Sequence, residues 1–261
     1  MTVNPSFERL TLLSGGEAAA ALAASRVLVV GIGGVGSWCA EALVRSGIGK
    51  ISLVDPDTVC VSNINRQVQA TSATIGRLKT AALGERLKEI NPACGITAFP
   101  RVFSKESAEI FDIAGEDYVI DAIDTLTCKL DLIETALSLG KPFFSSMGMA
   151  QKLDPTLIRT ADIWETSLCP LARLVRQGLR KRNCTGHFTV VYSPERLPLR
   201  AVPLREGAGE PSGQDSGKKI INGSAVTVTA VAGMVLASLV IRDVCARYAP
   251  PDLHGSGGRH E

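Results

Sequence analysis

Residues 27–36 read Val-Leu-Val-Val-Gly-Ile-Gly-Gly-Val-Gly. Four consecutive apolar residues suit a parallel strand covered on both faces, and the glycines after them suit a tight turn that opens a helix. Gly31, Gly33 and Gly36 supply the bend, a close backbone approach and a helix–sheet contact, while free amides at the helix start favour an anion. Nicotinamide, flavin and adenylate-forming enzymes all use such a turn. The residues downstream must choose among them.

Ser37 to Arg45 carries helical periodicity and stops at Ser46-Gly-Ile-Gly49. The next strand, Lys50-Ile-Ser-Leu-Val-Asp55, ends on Asp55, nineteen positions past Gly36, where a carboxylate can accept ribose hydroxyls. Asp57 to Gln67 is polar, turn-rich and carries Arg66, unlike what a dehydrogenase places after its second strand. A helix from Thr80 to Asn91 follows, closed by Asn91-Pro92. Lys79 lies in its first turn, where a cation opposes the helix dipole unless an anion is near.

Residues 94–99 predict a strand, 104–112 a helix, and 117–124 a buried strand carrying Asp121 and Asp124 at its end. Buried carboxylates require a metal ion or a basic partner. Asp124 is better placed to face a ligand, whereas Asp121 can cap or brace neighbouring turns; both readings stand. A helix over 126–139 and a strand over 141–146 complete a β-α-β series. The fold class is α/β: a doubly wound, mainly parallel, Rossmann-like sheet with an N-terminal helical arm and a C-terminal elaboration.

The chain has 261 residues, 45% of them hydrophobic, enough for one large α/β core plus an appendage. A formal net charge of +2 announces neither a nucleic acid nor a membrane partner, so any basic patch must be local. Met1-Thr-Val-Asn-Pro5 carries no secretory pattern, and the expected location is cytoplasmic. Seven cysteines never form C-x-x-C, so no zinc site is expected. Of three histidines, His254 and His260 fall in the glycine-rich tail, and His187 suits a strand start.

Residues 1–150 are read as the nucleotide-binding core, with the arm at 1–25, and residues 151–250 as the substrate-binding elaboration. In the latter, 154–160 reads as an edge strand, and Cys169-Pro170 leads into a helix to Arg182. Arg173, Arg176 and Arg180 share one face of that helix, either solvated or set against phosphates. A strand at 187–193 precedes a Pro/Gly/Ser-rich loop at 194–219, expected to be mobile. Residues 223–248 are apolar enough to invite a membrane-spanning reading, but Val226-Thr-Val-Thr-Ala alternates and Arg242-Asp243 interrupts the run. A buried strand followed by a packing helix is expected there, without stable membrane insertion. Residues 251–261 are expected to be a disordered tail.

Taken together, Gly31-x-Gly33-Gly34-x-Gly36, Asp55, Asn63-x-Asn65-Arg66-Gln67, Lys79 and Asp121-x-x-Asp124 resemble the ubiquitin-activating-enzyme-like (ThiF) family of adenylating proteins. The resemblance implies ATP on the glycine turn, its ribose on Asp55, and its phosphates on Asn63, Arg66 and Lys79. Asp57 and Gln67 complete the expected nucleotide contacts. It also implies Mg²⁺ on Asp124, with Arg9 donated across a homodimer to the other subunit's ATP. Arg9, Arg66, Lys79 and Asp124 are thereby the expected catalytic groups. Val59-Cys-Val-Ser-Asn, Ser145-Ser-Met-Gly, Lys152-Leu-Asp-Pro and Thr166-Ser-Leu-Cys-Pro-Leu-Ala-Arg173 are similar to the branch that dehydrates threonylcarbamoyladenosine in tRNA near the anticodon. That implies tRNA as substrate, with Arg173, Arg176 and Arg180 on its phosphates. The long loop at 194–219 and the tail depart from the family pattern.

Two other readings stay open. A ubiquitin-like or sulfur-carrier protein activator would pass an acyl group to a cysteine; Cys169, at a helix entry, is the residue to test, with a cysteine desulfurase or sulfur acceptor as partner. More remote are an NAD(P)-dependent oxidoreductase and a non-catalytic nucleotide-binding module, neither of which needs Asn63, Arg66 and Lys79 around phosphates. A monovalent cation requirement is also left open.

Overall fold

The computed structural model describes residues 4–196 and 222–248. Most of the 194–219 loop and the whole 251–261 tail, with His254 and His260, lie outside the described residues. The arm folds as two short helices, α1 (Glu8–Ser14) and α2 (Gly16–Ala24), broken at Gly15 with φ 86°. Then come β1 (Arg26–Val30), α3 (Gly36–Arg45), β2 (Lys50–Val54), α4 (Lys79–Ile90), β3 (Gly95–Phe99), β4 (Tyr118–Asp121), α5 (Leu126–Ser138) and β5 (Phe143–Ser146). The chain continues through β6 (Arg159–Asp162), α6 (Pro170–Lys181), β7 (Thr189–Tyr192) and α7 (Val226–Ala246).

The seven strands form one sheet in the order β3-β2-β1-β4-β5-β7-β6. Every pairing is parallel except β6 with β7, so β6 closes one edge as an antiparallel strand. The chain winds outward from β1 to β3 and then returns to β4 on the other side of β1. The reversal between β1 and β4 leaves a crevice at the carboxyl ends of the strands, and the glycine turn sits there.

Each β1 side chain chooses a face. Val27 and Val29 join a core with Leu43, Leu83 and Leu236 from α3, α4 and α7, whereas Leu28 and Val30 join one with Leu132, Ile133, Val175 and Leu179 from α5 and α6. Burying such side chains is worth about 1.5–3 kcal/mol each, which is why the four-residue apolar run reads as a central strand. The part beyond residue 150 is built onto the same sheet through β7 and β6.

Three expected elements differ. The edge strand expected over 154–160 is Arg159–Asp162; Pro155–Leu157 is a 3₁₀ turn, with Asp154 Oδ1 accepting from Thr156 N–H at 2.9 Å. Residues 104–112 do not form one helix: a turn leads to short 3₁₀ segments at Ala108–Phe111 and Ile113–Gly115. Ser107 Oγ accepts from Ser104 N–H at 2.9 Å, and Asp112 has φ 44°; serine and aspartate here divert the backbone from helical bonding. Phe99, Phe103 and Phe111 fix the segment by ring contacts at 5.2 and 5.4 Å.

Residues 226–230 are the first turn of α7, not a strand. The buried positions Val228, Thr229, Ala232, Gly233, Leu236, Ala237, Val240 and Val244 recur at helical spacing, which the Val-Thr alternation had masked. Gly233 carries the packing: a Cβ there would come 2.5 Å from Val35 O, so no other residue allows α7 this close to α3. α7 is long and apolar enough to cross a membrane, with mean hydropathy 1.8, yet here it lies against α3 and the sheet.

Candidate nucleotide and substrate site

The turn after β1 is built for a ligand's backbone approach. Gly31 has φ 84°, and a Cβ on it would stand 2.7 Å from Ala122 O; one on Gly36 would stand 1.8 Å from Gly31 O. Only glycine permits β1, α3 and the β4 exit to meet this closely. The start of α3 has no side-chain cap; Ser37 N–H donates to Gly33 O and Cys39 N–H to Val35 O, so the amides just before Ser37 are the ones open to an anion. A Cβ on Gly33 would meet only Gln67 Nε2, at 3.9 Å, and one on Gly34 would press on Arg66 Cδ and Thr229. Arg66 and Gln67 therefore line the open side of the turn.

Asp55, just past β2, is buried and held by two amides and an ammonium. Its Oδ2 accepts from Ile32 N–H and its Oδ1 from Asp57 N–H, both at 3.0 Å, and Lys79 Nζ stands 3.5 Å from Oδ1. Burial pushes its carboxyl above the usual carboxylate range, against the pull of Lys79 and the two amides. Lys79 opens α4 and is itself buried; its ammonium donates to Asp57 Oδ2 at 2.7 Å. Asp57 is exposed, so Lys79 holds one inner and one outer carboxylate.

The 57–67 loop is self-braced. Asn63 is buried with its Oδ1 on Cys60 N–H at 3.1 Å; Arg66 Nη1 donates to Ser62 O and Asn65 Oδ1; Trp38 Nε1 donates to Arg66 O. Gln69, which the sequence pattern did not single out, donates through Nε2 to Ile32 O at 2.9 Å and to Gln67 Oε1 at 3.3 Å. Gln69 Oε1 is buried without a partner among the described residues, so the turn rests on an unsaturated amide pair.

At the end of β4 the two aspartates part. Asp121 is fully buried: Oδ2 lies 2.7 Å from Lys129 Nζ and accepts from Ser145 Oγ at 2.6 Å, and Oδ1 accepts from Ile123 N–H. Lys129, on α5, also donates to Ile123 O at 2.9 Å, clamping the turn that carries Asp124. Asp124 is exposed, and among the described residues its side chain accepts one hydrogen bond, from Thr125 Oγ1 at 3.4 Å. Among the described residues no cluster of three His, Cys, Asp or Glu side chains could cage a metal. A single free carboxylate fits a Mg²⁺ that arrives on nucleotide phosphates and keeps its waters.

The remaining residues lie apart from this cluster. Arg9 is exposed on α1 and makes no ion pair among the described residues. Cys169 caps the start of α6, but its side chain is buried in the core with Ala172 and Phe188. The α6 arginines do not form one free face. Arg173 is exposed, Arg176 turns inward to Thr166 Oγ1 and Ile163 O, and Arg180 stacks over Trp164 at 5.4 Å. Arg182 is held by Asp131 and Glu134 at 2.7 and 3.0 Å. His187 pairs with Asp162 at 3.1 Å beside β7. Two open grooves of about 270 and 450 Å³ lie along α5, the first closed by α6 and the second by Lys105 and the 182–186 segment; neither is lined by the glycine turn.

The family model for the ThiF family matches residues 7–256. The tRNA threonylcarbamoyladenosine dehydratase of Bacillus subtilis (strain 168) is 39% identical over 242 residues, covering 91% of this chain and 94% of that one. Among solved structures, E. coli tRNA N6-threonylcarbamoyladenosine dehydratase, TcdA, in complex with ATP superposes with a TM-score of 0.83 at 32% identity, covering 95% of this chain and 98% of that one. Its complex with AMP gives 0.82 at 33% identity with the same coverage.

Proposed function

The chain belongs to the ThiF family and, within it, to the tRNA threonylcarbamoyladenosine dehydratases, and on that premise we propose that it uses ATP to dehydrate threonylcarbamoyladenosine in tRNA near the anticodon. The observation that carries this reading is the end-to-end likeness to the dehydratases, which continues past β5 through α6 and α7.

A carboxylate is a poor electrophile. Its oxygen attacks the α-phosphorus of ATP, pyrophosphate leaves, and the resulting acyl-adenylate carries a good leaving group. A nucleophile of the same nucleoside then attacks the acyl carbon, and AMP departs with the former carboxylate oxygen. The net loss is one water, and no enzyme nucleophile is required because proximity within one nucleoside supplies much of the acceleration.

Asp55 would hold the ribose, and the uncapped start of α3 the phosphates. Charge accumulates on the α-phosphate, where Arg66 and Lys79 of one subunit and Arg9 of its partner would stabilise it. Asn63, Asp57 and Gln67 would frame the same space. Mg²⁺, entering with ATP on Asp124, would neutralise phosphate charge. Leu12 and Leu13 beside Arg9 are more than four-fifths exposed on α1, which supports burial of this arm in a homodimer. Arg173 and Arg180 are the α6 arginines left to meet tRNA, in the cytoplasm. A monovalent cation enters none of these roles.

The test is incubation with ATP, Mg²⁺ and tRNA bearing threonylcarbamoyladenosine. Nucleoside mass spectrometry should show the loss of one water. Unchanged nucleoside would overturn the reading. A thioester relay or sulfur transfer through Cys169 would require its buried thiol to emerge, and trapping one with a ubiquitin-like or sulfur-carrying partner would reverse the ranking.

A further inference from the structure

Lys152 is a buried cation that no step above uses. It is 2% exposed, and its Nζ donates to one protein acceptor, Glu195 O, at 2.8 Å. Among the described residues no carboxylate stands within ion-pair distance of it. The nearby Glu195 carboxylate is committed elsewhere, accepting from Leu153 N–H at 3.0 and 3.1 Å and from Asp154 N–H at 3.1 Å. An ammonium keeps three donors, and burying it without a counter-ion is costly. Buried charges are as a rule paired, so an anion is the partner this ammonium calls for.

Its position says which anion. Lys152 follows β5, whose exit is tied to β7 by Met147 N–H donating to Val191 O at 2.8 Å. Ser193, fully buried just past β7, accepts from Glu195 N–H at 3.2 Å. Both strands run parallel to β1, so Lys152 stands at the same carboxyl edge of the sheet as the glycine turn. A short bridge links the two: Gln151 N–H donates to Gly223 O at 2.8 Å, and Asn65 Nδ2 donates to Ser224 O at 2.8 Å. The Asn63–Gln67 loop and the Lys152 segment thus hold adjacent residues of the same strip of chain. Lys152 itself is buried but its acceptor Glu195 is half-buried, so a ligand that displaces the Glu195 carbonyl would reach the ammonium.

We propose that Lys152 is the receptor for the substrate's carboxylate, holding it by charge-assisted hydrogen bonds while the nucleotide sits on the glycine turn; this rests on the dehydratase reading above. The nucleotide cations face phosphates on the β1–β2 side, which leaves the second anion of the reaction to a separate cation on the β5–β7 side. Lys152 is thereby a specificity residue: it accepts a carboxylate and rejects a neutral amide of the same shape.

The experiment compares an anticodon stem–loop carrying threonylcarbamoyladenosine with one carrying its carboxamide, each titrated in the presence of a non-hydrolysable ATP analogue. The intact protein should prefer the carboxylate by about tenfold or more. Lys152→Gln should bind the ATP analogue normally and lose that preference; Lys152→Arg should keep part of it. Equal preference in intact protein and Lys152→Gln would overturn the assignment while sparing the functional reading. Binding of neither stem–loop by the intact protein would overturn both. Should Lys152→Gln fail to fold, a structure of the intact protein with the carboxylate stem–loop decides: a carboxylate more than about 4 Å from Nζ contradicts the proposal.

Discussion

Two strand-end aspartates in this molecule each meet a lysine from the helix that follows, yet their surroundings differ. At β2, Asp55 and Lys79 lie at the crevice: the ammonium is 3.5 Å from Asp55 and 2.7 Å from exposed Asp57. At β4, Asp121 and Lys129 are sealed, at 2.7 Å, with Ser145 Oγ and the Ile123 backbone filling the remaining valences. The first pair keeps an outer partner that can be exchanged for another anion. The second has no such partner and fixes the turn that presents Asp124. The same two residue types therefore serve a ligand in one place and the backbone in the other, and what separates them is how many of their hydrogen bonds end inside the protein.

The sealed pair should show the largest effect on stability. Lys129→Met leaves Asp121 buried and unpaired, and should cost about 3–5 kcal/mol in urea unfolding. Adding Asp121→Asn should recover part of that loss. A fully stable Lys129→Met protein that lost ATP use would erase the distinction. At the open pair the effect falls on chemistry: Lys79→Ala or Asp55→Ala should lower AMP formation by about a hundredfold or more, with a smaller loss of stability than Lys129→Met because the pair is looser and Lys79 has an exposed second partner in Asp57. Retained tRNA-dependent AMP production in either variant would sink the nucleotide assignment.

Acid sharpens the comparison further. Burial holds the Asp55 carboxyl above its ordinary range, so the folded protein binds this proton more tightly than the unfolded chain. ATP affinity should then fall as pH drops through that raised value, by up to about tenfold per pH unit below it. In Asp55→Asn the dependence should vanish. The same group makes folding less favourable as pH rises from the ordinary carboxylate range to the raised value, because the carboxylate must ionise while buried. The smallest effect concerns α6. Arg173→Glu should weaken tRNA binding and lower its salt slope by about one, whereas Arg176→Glu should act through stability because its guanidinium is turned to Thr166 and Ile163.

Much of the sheet is legible in the chain because its strands are short apolar runs punctuated by Gly, Pro and Asp: Val27–Val30, Ile51–Val54 and Tyr118–Ile120 could go nowhere but inside. The glycine turn and Asp55 are legible for the same reason, being backbone requirements written as residue types. What was not legible depends on which side chain returns to which backbone. Nothing local says that Lys129 will seal Asp121, that Gln69 will support Ile32, or that Arg176 will turn inward from an apparently uniform basic face. Residues 226–230 misled because β-branched alternation and a helical stripe share the same letters over five positions; Gly233, three residues on, is what selects the helix. Lys152 was visible only as part of a motif, since its lack of a counter-ion among the described residues is a property of the folded surroundings.

The most direct measurement counts products together: AMP released and nucleoside dehydrated, with tRNA that carries threonylcarbamoyladenosine and with the same tRNA lacking it. One AMP for each water lost, and none without the modified nucleoside, is the predicted result. AMP formed equally with unmodified tRNA, or dehydration accompanied by ADP, would contradict it.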